Sequence, residues 1–287
     1  MMAATIQYHH RRRLPIGRIA KHAVINLGVV IVLLPLVWVL LLSVKSLPES
    51  YTTNFWPRQF DFSHYGFVLT RIQTLPQNMF NSIFVTLATV AITTFCAILG
   101  GYALVHVKLP GRMLLIWLLI ASLFFPTRLL SLISIYEIQR QLGLLNTVVG
   151  LIFPYVTLNL AVSVLIMRSI FEQLPHELVE ASRIDGCGPW RTLLLVLLPL
   201  LLNGIVVVSM VNFVGVWGEY LLAVTLTNDQ ATRTLPVVLA SAHSGMGQWA
   251  YPRIAAVYVI AVTPGIIIFA LFQRLYFKGL TEGAIKL

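Results

Sequence analysis

Apolar runs of roughly twenty residues recur along this chain, separated by short polar breaks. A bilayer core takes about 20 apolar residues per helix, so the pattern predicts spans at 23–44, 81–105, 113–135, 147–167, 193–214 and 254–272. The apolar pattern of the fifth continues toward Leu226. Residues 46–78 are mixed and aromatic, with Pro48, Pro57 and Pro76, and predict an outer loop lying on the membrane surface. A second polar loop is expected at 228–253. The predicted fold is therefore an all-α polytopic membrane protein of six transmembrane helices. Its segments are 1–22, a first helix at 23–45, an outer loop at 46–78, a core domain at 79–273 and a tail at 274–287.

A polar island, 174–199, reads LPHELVEASRIDGCGPWRTLLLVLLP and carries Glu177, Glu180, Arg183, Asp185 and Arg191. Charges at that density are costly inside a bilayer, so the segment must sit in water. Pro175 suits the first position of a helix. Glu177 and Glu180 follow in its first turns, where negative charge complements the helix dipole. A helix over 176–184 is predicted, ended by Asp185-Gly186, with Gly186 free to take a positive φ. Pro199 is expected to bend the helix that follows. Such a short surface helix, with small Ala181 and Ser182 on it, suits a groove on another protein. A solvated loop that touches nothing would show the same pattern.

Composition agrees with the membrane assignment: 58% of the residues are hydrophobic, mean hydropathy is +0.85 and 10% are charged. A soluble domain carries about 25% charged residues. The formal net charge of +10 does not indicate nucleic acid, because no basic stripe interleaves with aromatics. Arg11, Arg12, Arg13, Arg18, Lys21, Lys108, Arg112, Arg168, Arg183, Arg191, Arg274, Lys278 and Lys286 all fall on one side of the predicted topology. The positive-inside rule makes that side cytoplasmic, together with both termini and the polar island. Cys96 lies in an apolar run and Cys187 in the island, so no disulfide framework is implied.

Several chemical motifs fail on inspection. His176-Glu177-Leu178-Val179-Glu180 begins like a zinc-binding H-E-x-x-H, but a Glu replaces the second imidazole. Gly245-Met246-Gly247 follows no strand and opens no helix, unlike a dinucleotide site. No G-x-x-x-x-G-K-[ST] occurs, so the chain is not expected to bind or hydrolyse ATP. An intramembrane enzyme would need paired acidic, His or Ser groups at one depth, and none stands out.

Glu180-Ala181-Ser182, three residues, Gly186, nine residues and then Val196-Leu197-Leu198-Pro199 resembles the EAA motif, E-A-A-x3-G-x9-I-x-L-P, of bacterial ABC importer permeases. Pro175 to Cys187 nearly reproduces the longer P-x-E-L-x-E-A-A-x-x-D-G-A of the carbohydrate branch, with Ser182 and Cys187 in place of Ala. Val196 stands for Ile. Trp217-Gly218-Glu219-Tyr220 is similar to that branch's W-N-E-Y, and Thr234-Leu235-Pro236 follows it. Gln273-Arg274 through Lys286 resembles its C-terminal Q-R-x-x-x-x-G-L-x-x-G-A-V-K. The resemblance covers about 77–287 and is closest to the maltose-permease type.

The resemblance implies a type I importer permease in a bacterial inner membrane, with 79–273 as the permease domain and 171–192 as its coupling loop. Expected partners are a second similar permease, two copies of a cytoplasmic ATPase that binds ATP and Mg, and a periplasmic or lipid-anchored solute-binding protein. No cofactor is expected in this chain. Carried over, Glu177, Glu180, Ala181, Ser182, Asp185 and Gly186 would engage the ATPase, as would Gly279, Gly283 and Lys286. Sugars or oligosaccharides are the implied cargo, with glycerol phosphates or amino sugars as alternatives. Candidates for the solute path are Phe124, Arg128, Tyr155, Trp217, Glu219 and Tyr220. Arg128 lies roughly 22 Å along the third span at 1.5 Å per residue, in the outer half of the membrane with Glu219. The two charges can pair across the path, or lie at the outer headgroups. An ion-driven secondary transporter is the rival class, and its coupling acid would be Glu219 or Glu137.

Overall fold

The computed structural model describes residues 16–124, 130–245 and 249–284, with side chains described outside 16–20, 242–245 and 280–284. Every named element in it is helical. In chain order these are α1 (Ile16–Leu42), α2 (Ser63–Arg71), α3 (Leu75–His106), α4 (Arg112–Phe124), α5 (Leu132–Gln141), α6 (Ile152–Glu172) and α7 (His176–Ile184). Then follow α8 (Pro189–Leu200), α9 (Leu202–Trp217), α10 (Leu221–Leu226), α11 (Leu235–Gly245) and α12 (Tyr251–Ala284).

Helices α3 and α6, packed side by side in the same direction, form the centre. The buried positions of α3 recur every three or four residues and are small or polar: Ser82, Thr86, Thr89, Thr93, Ala97 and Gly101. In a membrane, apolar surface gains little by leaving lipid, so helices associate through close packing of small residues and interhelical hydrogen bonds. Gly101 meets this demand directly. A Cβ there would lie 3.0 Å from both the Arg168 nitrogen and the Met167 carbonyl carbon. Helix α9 layers onto the pair through Asn212, whose side chain donates to Ser163 Oγ at 2.8 Å. Ser163 in turn donates to the Asn159 carbonyl, and Asn159 to that of Tyr155. The first of these bonds joins α9 to α6, and the other two run back along α6 itself, four residues at a time.

Three apolar clusters divide the bundle. One gathers Leu104, Met167, Phe171, Val179, Leu197 and Val208 at the end bearing α7. A second, with Val85, Leu151, Tyr155, Val216 and Leu222, lies at the opposite end of α3 and α6. In the third, Val68 and Leu75 pack on Leu235, Ala256 and Val257, fixing α2 and α11 against α12. Helix α1 stands apart. Its apolar window has none of its residues buried, and Val24, Ile31 and Val32 are more than 60% exposed, as suits a helix in lipid.

Among the described residues four helices are long and apolar enough to span a membrane, or five if α8 and α9 count as one broken span. The predicted fifth span is that broken pair, bent by 81°. The expected bend at Pro199 is present, and its cause is compound. Thr192–Leu197 form a π-helical stretch immediately before it, and Pro199 lacks the amide that would continue the ladder. The third predicted span is seen as α4, 13 residues long, and as α5, with 125–129 outside the described residues. Helix α3 begins at Leu75 rather than near 81, because the polar Asn78 and Asn81 are buried and bonded. The expected loop 228–253 contains helix α11, and the expected loop 46–78 contains α2. The expected tail at 274–287 is helical as far as Ala284.

Gly101→Val should push the α3 and α6 backbones apart, at a cost of about 1–3 kcal/mol from overpacking. Gly28→Val, at a position with nothing within 4 Å, should leave stability unchanged. Thermal unfolding of the two variants in detergent, followed by loss of the monodisperse species, measures the contrast.

Candidate functional site

The surface helix α7 sits where the motif spacing places it. It occupies His176–Ile184, with Glu177 in the first turn and Arg183 in the last. Pro175 is its N-cap residue, extended at ψ 131, rather than the first helical residue. The C-terminus closes as a Schellman motif. The Cys187 amide donates to the Ser182 carbonyl at 2.9 Å and the Gly186 amide to that of Arg183 at 3.1 Å, with Gly186 at φ 78. A Cβ on Gly186 would meet nothing within 4 Å, so the glycine answers a backbone requirement and not a crowded one.

Two opposite faces follow from the 3.6-residue period. Val179 and Ser182 turn inward and are buried, at 5% and 3% exposure. Ser182 Oγ donates to the Val179 carbonyl and shares a 2.9 Å hydrogen bond with Thr192 Oγ1 at the start of the π-helical stretch. Ser182, expected on the docking face, thus holds α7 to α8. Glu177, Glu180, Ala181 and Ile184 form the outward stripe, all exposed. Ile184 is 87% exposed, and Trp190 beyond the turn is 64% exposed. Large apolar side chains standing in water beside carboxylates mark a contact surface. Ile184 was not singled out from sequence, although its spacing of seven from Glu177 carried the signal. Asp185 and Gly186 complete the exposed turn.

Of the C-terminal candidates, Gly279 faces this same chain. Its Cβ would lie 2.7 Å from the Asn203 carbonyl oxygen, so the glycine lets α12 pack on α9. Gly283 lies near the end of α12, and Lys286 lies outside the described residues.

At the far end of the bundle the structure joins two of the solute-path candidates. The buried Tyr155 hydroxyl donates to Glu219 Oε2 at 2.7 Å, and the amides of Leu222 and Ala223 donate to the same carboxylate at 3.0 and 3.2 Å. Glu219 therefore caps α10 and ties it to α6. Trp217 stacks on Phe213 at 5.6 Å between centroids, and Tyr220 is partly exposed. Phe124 ends α4 at 85% exposure and takes no part in this group. Arg128, the expected partner of Glu219, lies outside the described residues.

Three asparagines missed from sequence organise this end. Asn146, at φ 58, accepts on Oδ1 from the amides of Asn228 and Asp229, each at 2.9 Å, and from Thr232 Oγ1 at 2.8 Å. Its side-chain amide donates to Asp229. Asn78 and Asn81 donate to the carbonyls of Gln230, Ala231 and Arg233. The segment 228–233 is thereby clamped between α3 and the turn before α6. Glu137, the alternative coupling acid, accepts from Arg140 at 2.7 Å and Gln141 at 3.1 Å. Both bonds lie within α5, so Glu137 is held against its own helix and not against another. Among the described residues no three His, Cys, Asp or Glu side chains are placed to hold a metal ion.

The helical bundle, its surface helix and its polar far end define a multi-pass membrane permease. The family described as binding-protein-dependent transport system inner membrane component matches residues 97–282, and the chain belongs to it. It is 35% identical to the sulfoquinovosyl glycerol transport system permease of Agrobacterium fabrum, over 88% of this chain and 89% of that one. It is 32% identical to the diacetylchitobiose uptake system permease of Streptomyces coelicolor, over 93% and 88%. Among solved structures, a chain of a bacterial ABC transporter involved in import of the acidic polysaccharide alginate superposes with a TM-score of 0.78 at 23% identity, covering 94% of this chain and 99% of that one. That likeness extends the shared fold to nearly the whole chain.

Glu219→Ala should cost about 1–3 kcal/mol, because it strips the carboxylate from a buried hydroxyl and two amides together. Tyr155→Phe should cost less, about 1 kcal/mol, since Glu219 keeps both amides. Comparing the two in chemical denaturation separates the cap from the hydroxyl bond.

Proposed function

We propose that this chain lines the solute pathway of an ATP-driven importer for a sugar or oligosaccharide, and that α7 is its coupling helix. The observation that carries this reading is the two-faced build of α7. Its inner face is fixed to the bundle through Val179 and the Ser182–Thr192 bond, while Glu177, Glu180, Ala181 and Ile184 are offered outward. A helix so mounted can pass a push from a partner into α8 and the bend beyond it. The partner is a pair of cytoplasmic ATPase subunits that bind ATP and Mg. Glu180 supplies the polar contact, and Gly186 lets the chain turn back sharply enough to keep the helix proud of the membrane. A second permease completes the pathway, and a solute-binding protein delivers cargo at the Asn146–Glu219 end.

Geometry supports the orientation. Tyr51, after α1, lies against Tyr251 at the start of α12, with ring centroids 6.0 Å apart. The start of α1 and the end of α12 therefore share the other side. Gly279 near that end packs on Asn203, beside the bend that α7 is mounted on. With α7 in the cytoplasm, the start of α1 and the end of α12 are cytoplasmic too, and Gly283 and Lys286 are proposed as further ATPase contacts. The cargo class rests on the relatives, whose names specify sulfoquinovosyl glycerol and diacetylchitobiose. Tyr155, Trp217, Glu219 and Tyr220 are the groups proposed to meet it; Phe124, exposed at the end of α4, stands apart from them.

Glu180→Lys should abolish uptake of the sugar carried by the cognate binding protein while leaving the amount of membrane-inserted permease unchanged. Gly186→Ala should strain the αL turn by about 1–2 kcal/mol and weaken ATPase co-purification, with Gly186→Asn affected less. Normal uptake with Glu180→Lys would refute the coupling role of α7.

A further inference from the structure

Beside the surface helix, the end of α3, the loop to α4 and the start of α8 enclose a cavity of about 650 Å³. Its polar walls are Tyr102, His106, Lys108, Arg112, Arg183 and the Pro189 segment, and no carboxylate lines it. Arg112 makes a long contact with Glu172, 4.0 Å, but that carboxylate is engaged at 2.7 Å by Arg168. Neither Lys108 nor Arg183 has an ion pair among the described residues. His106 adds a buried Nε2 with no hydrogen-bond partner there. Lys108 and Arg183 thus line a space whose wall carries no carboxylate, beside Arg112 with its long contact to Glu172, and guanidinium forks match phosphate oxygens well. The remaining lining is apolar, and the cavity borders the first turn of α4. From there Met113, Leu114 and Trp117 stand more than 60% exposed, as lipid-facing residues do.

A basic pocket between helices at the cytoplasmic boundary of a bilayer has the chemistry of an anionic headgroup site. We propose that this cavity binds a phosphate group, supplied by an anionic phospholipid of the inner leaflet, and that the bound lipid fastens α7 to the start of α4. Arg183 belongs to α7, Lys108 and Arg112 to the α3–α4 corner, so one phosphate bridges elements that otherwise meet through side chains alone. Continuity with the exposed face of α4 favours a lipid over free phosphate, since acyl chains can leave along that face. The inner-leaflet assignment rests on the orientation proposed above; binding itself does not.

The test uses the purified protein with whatever subunits accompany it, in a neutral detergent, with native mass spectrometry as readout. Short-chain phosphatidylglycerol should be retained at one site, and phosphatidylcholine of equal chain length should not. The double variant Arg112→Gln, Arg183→Gln should weaken retention by about fivefold for each cation removed. Arg112→Lys with Arg183→Lys should largely keep it, and Arg191→Gln, a cation outside the cavity, should match the wild type. Retention unchanged in the Gln variant, or equal for both lipids, overturns the proposal. Inorganic phosphate that binds where phosphatidylglycerol does not would overturn the lipid source. None of these readouts depends on transport, so a failed coupling role for α7 and a failed lipid site are distinguishable.

Discussion

The contact between the α3 and α6 backbones at Gly101 is the constraint on which the rest of the bundle depends. Apolar side chains gain little by meeting each other when lipid already surrounds them. What holds two helices in such surroundings is closeness, and closeness needs a position without a side chain. With Gly101 set against Met167 and Arg168, the small hydroxyl residues of α3 fall opposite α6 and α9. Ser163 of α6 then meets Asn212 of α9. Two turns back along the same face of α6, Tyr155 presents its hydroxyl to Glu219, which holds α10.

The two ends of the bundle are fastened differently. At the Glu219 end, hydrogen bonds between residues far apart in sequence clamp the 228–233 segment to α3 and to Asn146, leaving little freedom. At the other end, α7 is held through Val179, the Ser182–Thr192 hydroxyl pair and the edge-on contact of His176 with His106. Its outward residues are exposed. Long-range hydrogen bonds thus fasten the Glu219 end, and contacts between neighbouring segments fasten the α7 end.

Much of this was legible in the sequence wherever local chemistry governs. The bounds of α7, the positive φ at Gly186 and the bend at Pro199 all follow from capping and proline rules that act within a few residues. The misses share one cause, a contact with a distant segment. Asn78 and Asn81 look like loop residues until the carbonyls of 230–233 satisfy them, and then α3 extends back to Leu75. Gly279 looks like a tail residue until Asn203 packs against it, and then α12 continues past it. Ser182 fits a docking motif by spacing, but only the position of Thr192 turns it inward. The pairing of Tyr155 with Glu219 likewise had no local signal, although each was a candidate alone.

The break between α8 and α9 changes what a displacement at the surface means deeper in the membrane. An unbroken span would transmit a push along its own axis. Here the two limbs meet at 81°, so under the proposed coupling role a push on α8 would reach α9 as a turn about the joint. The α9 arm is roughly 24 Å long at 1.5 Å per residue, so a turn of ~10° about the joint sweeps its far end through about 4 Å. That far end carries Trp217 and leads directly into Glu219.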